Sequence, residues 1–179
     1  MPTTERLLIE PLGHDHVAEL VPALRHASVG AYLGGPAVTT REAMHAWIDQ
    51  LALGPGTDAA EDHWWNWAVR RRDDGQMLGY VQATGYLDWA EIAYVFGPST
   101  GGNGYATEAV RWLMAHLADG GRCELWAAVH PANEPSRRLL DRVGFRQVNT
   151  SPRELASFDD GDLVFLITTA VGSHVVDSH

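Results

Sequence analysis

Residues 101–107, Gly101-Gly102-Asn103-Gly104-Tyr105-Ala106-Thr107, carry the clearest chemical signal in the chain. Glycine lets a backbone take positive φ and approach a ligand without a Cβ in the way. An apolar run with helical spacing follows at once, so the segment opens a helix. The first amides of a helix have no internal partners, and its dipole adds partial positive charge there. A pyrophosphate suits such a place. A Walker loop needs Gly-Lys-Ser/Thr at its end, and Gly104-Tyr105-Ala106 denies that. A dinucleotide fingerprint needs a glycine where Thr107 stands and an acid about twenty residues on; Glu124 is in range but sits early in its strand. Two readings of the loop by itself stay open: an anion site, and a turn that is glycine-rich for steric reasons.

Other residues could do chemistry but have plainer uses. The run His63-Trp64-Trp65-Asn66-Trp67 could wall a cleft for a cationic amine, or serve core packing or contact in a homodimer. His14-Asp15-His16 suggests a metal, yet adjacent residues at a helix start make poor joint ligands, and helix capping by Asp15 is preferred. The nine histidines show no metal-ligand spacing, so no metal is expected. Cys123, the single cysteine, lies on an apolar run and reads as a small buried hydrophobe rather than a nucleophile.

The elements that must position these residues can be read from periodicity. Residues 6–10 form a first strand stopped by Pro11. Val17, Leu20, Val21 and Leu24 keep helical spacing, in a helix that Gly34-Gly35-Pro36 should break. Thr39 or Thr40 opens a second helix through Leu51, ended by Gly54-Pro55-Gly56. From Trp64 the period becomes two, and Asp73-Asp74-Gly75 turns the chain into a returning strand, Met77 to Tyr86. Glu91 to Phe96 is a strand, Gly97 to Gly104 a loop, and Ala106 to Leu117 the cleanest amphipathic helix. Cys123 to Val129, Phe145 to Val148 and Leu163 to Thr168 are further strands, with a helix from Asn133 to Val143 closed by Gly144. The sum is a mixed α/β (α+β) sandwich built around one strand–loop–helix unit. A single domain over residues 4–170 is expected, with a frayed tail at 171–179.

Bulk properties exclude some partners. The chain has 179 residues, 45% of them hydrophobic, which suits one compact domain. A formal charge of −10, with no basic run longer than Arg70-Arg71-Arg72, argues against nucleic acid. That charge would attract a cationic partner such as an amine, though solubility is its plainer use. No window approaches the ~20 apolar residues of a membrane span, and no signal peptide is evident. One cysteine cannot form an internal disulfide, and a reducing cytoplasm is the default.

The second half of the chain resolves the ambiguity of the loop. Asn133-Glu134-Pro135-Ser136 and then Gly144-Phe145 follow after one further strand. With Gly102-Asn103-Gly104-Tyr105-Ala106-Thr107-Glu108-Ala109, they resemble the two acetyl-CoA motifs of the GNAT superfamily of N-acetyltransferases. Thr4-Glu5-Arg6-Leu7-Leu8-Ile9-Glu10-Pro11-Leu12 and Leu78-Gly79-Tyr80-Val81 resemble two strands of its RimJ/RimL-like branch, which acetylates ribosomal-protein N-termini. The resemblance runs from residue 4 to about 168 and implies the GNAT fold, a central twisted mixed sheet of about seven strands flanked by about four helices.

It also implies an enzyme that uses acetyl-CoA, without a metal, to acetylate a primary amine by direct attack in a ternary complex. The acceptor would be a protein N-terminal α-amine or a small amine. Such an amine must be neutral, against a pKa of ~10 for an alkylamine or ~8 for an α-amine. It must also lie within roughly 3–3.5 Å of the thioester carbon. By resemblance, backbone groups of Tyr94, Val95 and Phe96 pair with pantetheine and polarise the thioester. The amides of the loop Gly101–Thr107, chiefly Gly102, Gly104, Tyr105 and Ala106, hold the pyrophosphate. Asn133 bonds the cofactor arm, and Ser136 meets the leaving sulfur. Glu91 is the candidate base, with Asp88 or ordered water as alternatives. Two positions depart from the family pattern: Gly101 stands where Gln or Arg is usual, and Leu140 where relatives often place an acidic Tyr. They keep a second reading in play, a non-catalytic acyl-CoA-binding module. A remoter third is an unrelated nucleotide-binding protein.

Overall fold

The computed structural model describes residues 3–30, 32, 40–55 and 63–169. Seven strands form one sheet in the order β1-β2-β3-β4-β5-β7-β6. They are β1 (Leu7–Pro11), β2 (His63–Arg71), β3 (Met77–Gly85), β4 (Trp89–Phe96), β5 (Glu124–Val129), β6 (Arg146–Val148) and β7 (Leu163–Thr168). Four principal helices flank it: α1 (Val17–Leu24), α3 (Arg41–Ala52), α4 (Tyr105–Asp119) and α5 (Glu134–Val143). A single turn, α2 (Ala27–Gly30), follows α1. This is the mixed α/β architecture expected, and among the described residues no helix is long and apolar enough to cross a membrane.

Helices cover both faces of the sheet, which explains why the middle of β2 is buried throughout. Trp67 and Val69 face the layer of α4 and α5, where Ala109, Val110, Leu113, Leu117, Leu139 and Leu140 pack. Ala68, between them, faces Val17, Leu20 and Val21 of α1 and Met44 and Ile48 of α3. Each such Leu, Ile or Val contributes about 1.5–3 kcal/mol on burial. Aromatic residues of β2 pack on the same helix layer: Trp67 meets Trp112 and His116 edge-on, both at 5.1 Å.

Helix starts were legible, with two corrections. Thr40 caps α3, its hydroxyl accepting from the Ala43 amide at 3.1 Å. Asp15 does not cap α1: residues His14–His16 tighten into a 3-10 turn, and the His16 ring bonds the Gly13 amide at 3.0 Å instead. Nor does α1 extend toward residue 34. It ends at Leu24, where Arg25 leaves helical geometry with ψ of +57°. Gly34-Gly35-Pro36, Thr39, Gly56 and the tail at 171–179 lie outside the described residues.

One irregularity positions the site. All neighbouring strands are antiparallel except β4 and β5, which pair in parallel over Trp89–Glu91 and Glu124–Trp126 alone. Beyond Glu91 the two strands share no ladder, while β4 stays paired to β3 as far as Phe96. The last residues of β4 thus present one edge to a gap rather than to a strand.

Candidate active site

A cavity of about 820 Å³ opens beside that gap. Tyr94, Val95 and Phe96 of β4 line it, with Gly101, Gly102, Gly104, Ala106 and Thr107, and with Asn133, Ser136, Arg138 and Arg142. Ser28, Val29 and Tyr32 also line it, so segments as distant in the chain as Ser28 and Arg142 meet there.

The loop reaches the cavity through its backbone. Gly102 and Gly104 have φ of +77° and +76°, the left-handed region where a side chain is strained. Gly104 is the N-cap of α4, and the first helical backbone bond runs from the Glu108 amide to its carbonyl at 3.0 Å. The amides of Tyr105, Ala106 and Thr107 precede that bond, so helix geometry leaves them without intrahelical partners. Asn103 and Tyr105 do not line the cavity. The Asn103 carbonyl accepts from the Arg6 guanidinium at 2.9 Å, and that guanidinium lies 4.9 Å from the centre of the Tyr105 ring.

On the facing helix, Asn133 caps α5 by accepting the Ser136 amide at 3.2 Å. Its oxygen is spent on the cap, which leaves its NH2 end for a ligand. The Ser136 hydroxyl lies 2.8 Å from the Tyr94 phenol oxygen. Burial pushes the Tyr94 pKa well above its ordinary value, outweighing the opposing bond from Ser136, so the phenol stays protonated. Among the described residues, Arg138 and Arg142 are the only charged ones lining the cavity. Arg142 reaches to 3.5 Å from the Thr107 hydroxyl, in the first turn of α4.

Glu91 is elsewhere. It is 3% exposed and does not line the cavity. Its oxygens accept from the Ala156 amide at 2.6 Å, the Ser157 amide at 3.1 Å and the Ser157 hydroxyl. Burial raises its pKa and these three bonds oppose the rise. The carboxylate thus pins the 151–158 loop to the sheet, helped by Arg153, which bonds Glu124 at 3.0 Å. Asp88 is exposed, 3.9 Å from Arg153. None of His63–Trp67 lines the cavity either; Trp65 instead lies 4.8 Å from the Arg122 guanidinium.

The remaining candidates resolve as follows. Cys123 is half-buried just before β5 rather than buried within it. His14 turns away from His16 and meets His45 at 2.7 Å and Asp49 at 2.9 Å. Among the described residues no group of three or more His, Cys, Asp or Glu is placed to hold a metal. Two features had no sequence signal: the Tyr94 hydroxyl facing Ser136, and the arginines of α5. Helical spacing of Arg138 and Arg142 was readable, but which face they share with the cavity depended on how α5 packs.

The sequence profile of the acetyltransferase (GNAT) domain matches residues 6–146. A search of curated protein sequences finds no match. Among solved structures, a GNAT-family acetyltransferase from Bacillus anthracis superposes with a TM-score of 0.69 at 20% identity, over 92% of this chain and 94% of that one. RimL, a ribosomal alpha-N-protein acetyltransferase in complex with coenzyme A, gives 0.73 at 18% identity, over 94% and 97%. A spermidine N-acetyltransferase from Vibrio cholerae, in complex with coenzyme A and spermine, gives 0.68 at 12% identity, over 91% and 94%. At these identities the structures speak for the fold alone, and the domain profile, spanning most of the chain, speaks for descent. The chain belongs to the GNAT family of acetyltransferases.

Proposed function

We propose that this protein moves an acetyl group from acetyl-CoA to a primary amine by direct attack in a ternary complex. The observation that carries this reading is the cavity's composition. It joins an unladdered strand edge to an amide-rich helix start, and among the described residues its charged lining is two arginines, in a chain of net charge −10. A long, polyanionic thioester with an extended arm fits that combination, and the volume is in the range of ligand pockets, roughly 300–1,000 Å³.

In this reading the amides of Gly102, Gly104 and Ala106, which line the cavity, hold the pyrophosphate, with Gly101, Asn103, Tyr105 and Thr107 shaping the turn. Arg138 and Arg142 supply the side-chain charge that position 101 lacks. The free edge of β4 at Tyr94, Val95 and Phe96 pairs with pantetheine and donates to the thioester oxygen, where charge develops on attack. The NH2 of Asn133 bonds the arm, and Ser136 faces the sulfur. Ordered water, rather than Glu91, takes the amine proton, since the Glu91 oxygens are committed to the 156–157 amides. A cationic acceptor is favoured by the net charge. RimL and the spermidine enzyme, whose fold this chain shares, are named for amine acceptors, one a protein α-amine and the other a polyamine.

A thermal-shift comparison of acetyl-CoA, CoA, ATP and NAD tests the reading. Either CoA species at a hundred times its Kd should add ~2.7 kcal/mol of stability. Stabilisation by ATP or NAD alone would overturn it in favour of a nucleotide-binding protein. CoA binding without turnover, across a panel of N-terminal peptides and polyamines, would favour the acyl-CoA-binding module.

A further inference from the structure

We infer that the Tyr94 side chain, and not only its backbone, belongs to the leaving-group machinery: its phenol orients the Ser136 hydroxyl toward the thioester sulfur. This rests on the acetyl-CoA reading of the cavity. Position 140 cannot present a donor to the cavity, because Leu140 is 0% exposed and packed in the core between α5 and the sheet. A phenol arrives from another element instead. Tyr94 stands on β4 beyond the last β4–β5 pair, and both Tyr94 and Ser136 line the cavity.

Either oxygen could be the donor in the Tyr94–Ser136 contact, and the proposed role gives the pair a direction. A serine hydroxyl in the first turn of a helix has one proton and rotates freely, so by itself it can turn to nearby backbone oxygens. The Tyr94 oxygen lies 2.8 Å from Ser136 Oγ and 3.3 Å from the Ser136 carbonyl. When the phenol donates to Oγ, it occupies one Oγ lone pair, and the Ser136 proton is left for a partner in the cavity. As the amine nitrogen bonds to the thioester carbon, the C–S bond breaks and its electron pair goes to sulfur. The Ser136 O–H donates a hydrogen bond to that sulfur. The proton shed by the acylated nitrogen passes to water, and water returns one to the thiolate. Tyr94 keeps its own proton throughout, as its burial requires, so it is a positioning residue acting through Ser136.

The test compares the wild type with Tyr94→Phe, Ser136→Ala and the double variant, in the full chain. Each single change should lower kcat roughly tenfold with CoA affinity held within about twofold, and the double should be no worse than Ser136→Ala, because the two groups act as a unit. The discriminating readout is the pKa of the thiol of bound CoA, titrated by thiolate ultraviolet absorbance. It should rise by roughly one unit in each single variant, the equivalent of a tenfold loss of thiolate stabilisation. Additive losses in the double, or an unchanged thiol pKa in Tyr94→Phe, would overturn the inference. Should Tyr94→Phe fail to fold, an unchanged thiol pKa in Ser136→Ala would overturn it alone. Failure of the wild type to bind CoA would instead remove the reading beneath it.

Discussion

Glu91 and Tyr94 sit three residues apart on β4, on opposite faces of the sheet, and alternation separates their environments. Tyr94 turns to the layer of α5 and meets Ser136, whereas Glu91 turns to the 151–158 loop and is consumed by it. Burial raises the Glu91 pKa in the folded state. For an acid raised on folding, the protonated form is the one folding favours. The resulting stability is fully present below the unfolded carboxyl value, ~4.3, and is lost as pH rises through the folded one. The Glu91→Gln variant imitates the protonated form. Urea unfolding at a series of pH values should therefore show the wild type losing ground to Glu91→Gln as pH rises. A gap that stays constant would mean that the three hydrogen bonds balance burial, and one that moves the other way that they outweigh it.

At the scale of elements, the start of β1 is tied to the start of α4. Arg6 bonds Glu108 through its backbone amide at 2.9 Å and through its guanidinium at 2.7 Å, while Thr4 donates to the same carboxylate. Burial pushes the Glu108 pKa up, but these bonds and the Arg6 charge hold it below the ordinary value. Arg6 also holds the Asn103 carbonyl, so the glycine loop is braced from outside the cavity. A Cβ at Gly104 would lie 3.6 Å from Arg6 Nη2, an ordinary contact, so the demand for glycine there comes from φ rather than from space. Gly104→Val should cost about 1–3 kcal/mol in local strain, relieved by distorting the first turn of α4. The expected result is a folded protein by circular dichroism with acetyl-CoA binding lost in calorimetry. Unchanged affinity would count against the pyrophosphate site. Gly97 shows the opposite cause: with ordinary φ, a Cβ would lie 2.3 Å from the Ala23 carbonyl oxygen, so α1 could not approach the end of β4.

Across the whole molecule, the proposed function asks electrostatics to serve two ligands of opposite charge. The chain carries net charge −10, yet the charged lining of the cavity is Arg138 and Arg142. On the proposed reading, an anionic cofactor would be held locally and a cationic acceptor drawn from a distance. Arg142→Ala should weaken acetyl-CoA about tenfold at ~0.05 M salt, with the deficit shrinking at ~0.5 M as screening shortens to a few ångströms. Arg138→Ala should cost less, because Arg138 is already paired with Glu134 at 2.6 Å. Titration calorimetry at both salt concentrations checks this. An Arg142→Ala deficit indifferent to salt would point to lost packing rather than lost charge.

Much of this was legible in the sequence because it depends on neighbours in the chain. Helical and alternating periodicities located seven strands and four principal helices, and glycines at 102 and 104 announced a backbone that must turn left-handed at the mouth of a helix. The motifs around 101–109 and 133–145 indicated the family and, through it, the cofactor class. What the residues between them would do depended on contacts that no local pattern encodes. Only the packing of α5 against β4 set Tyr94 on Ser136, and only its packing against α4 turned Arg142 toward Thr107. Only the fold of the 151–158 loop onto the sheet took Glu91 out of the cavity. Backbone conformation follows from the residue at hand, whereas the partner of a side chain is chosen by whichever distant segment packing brings within hydrogen-bond reach.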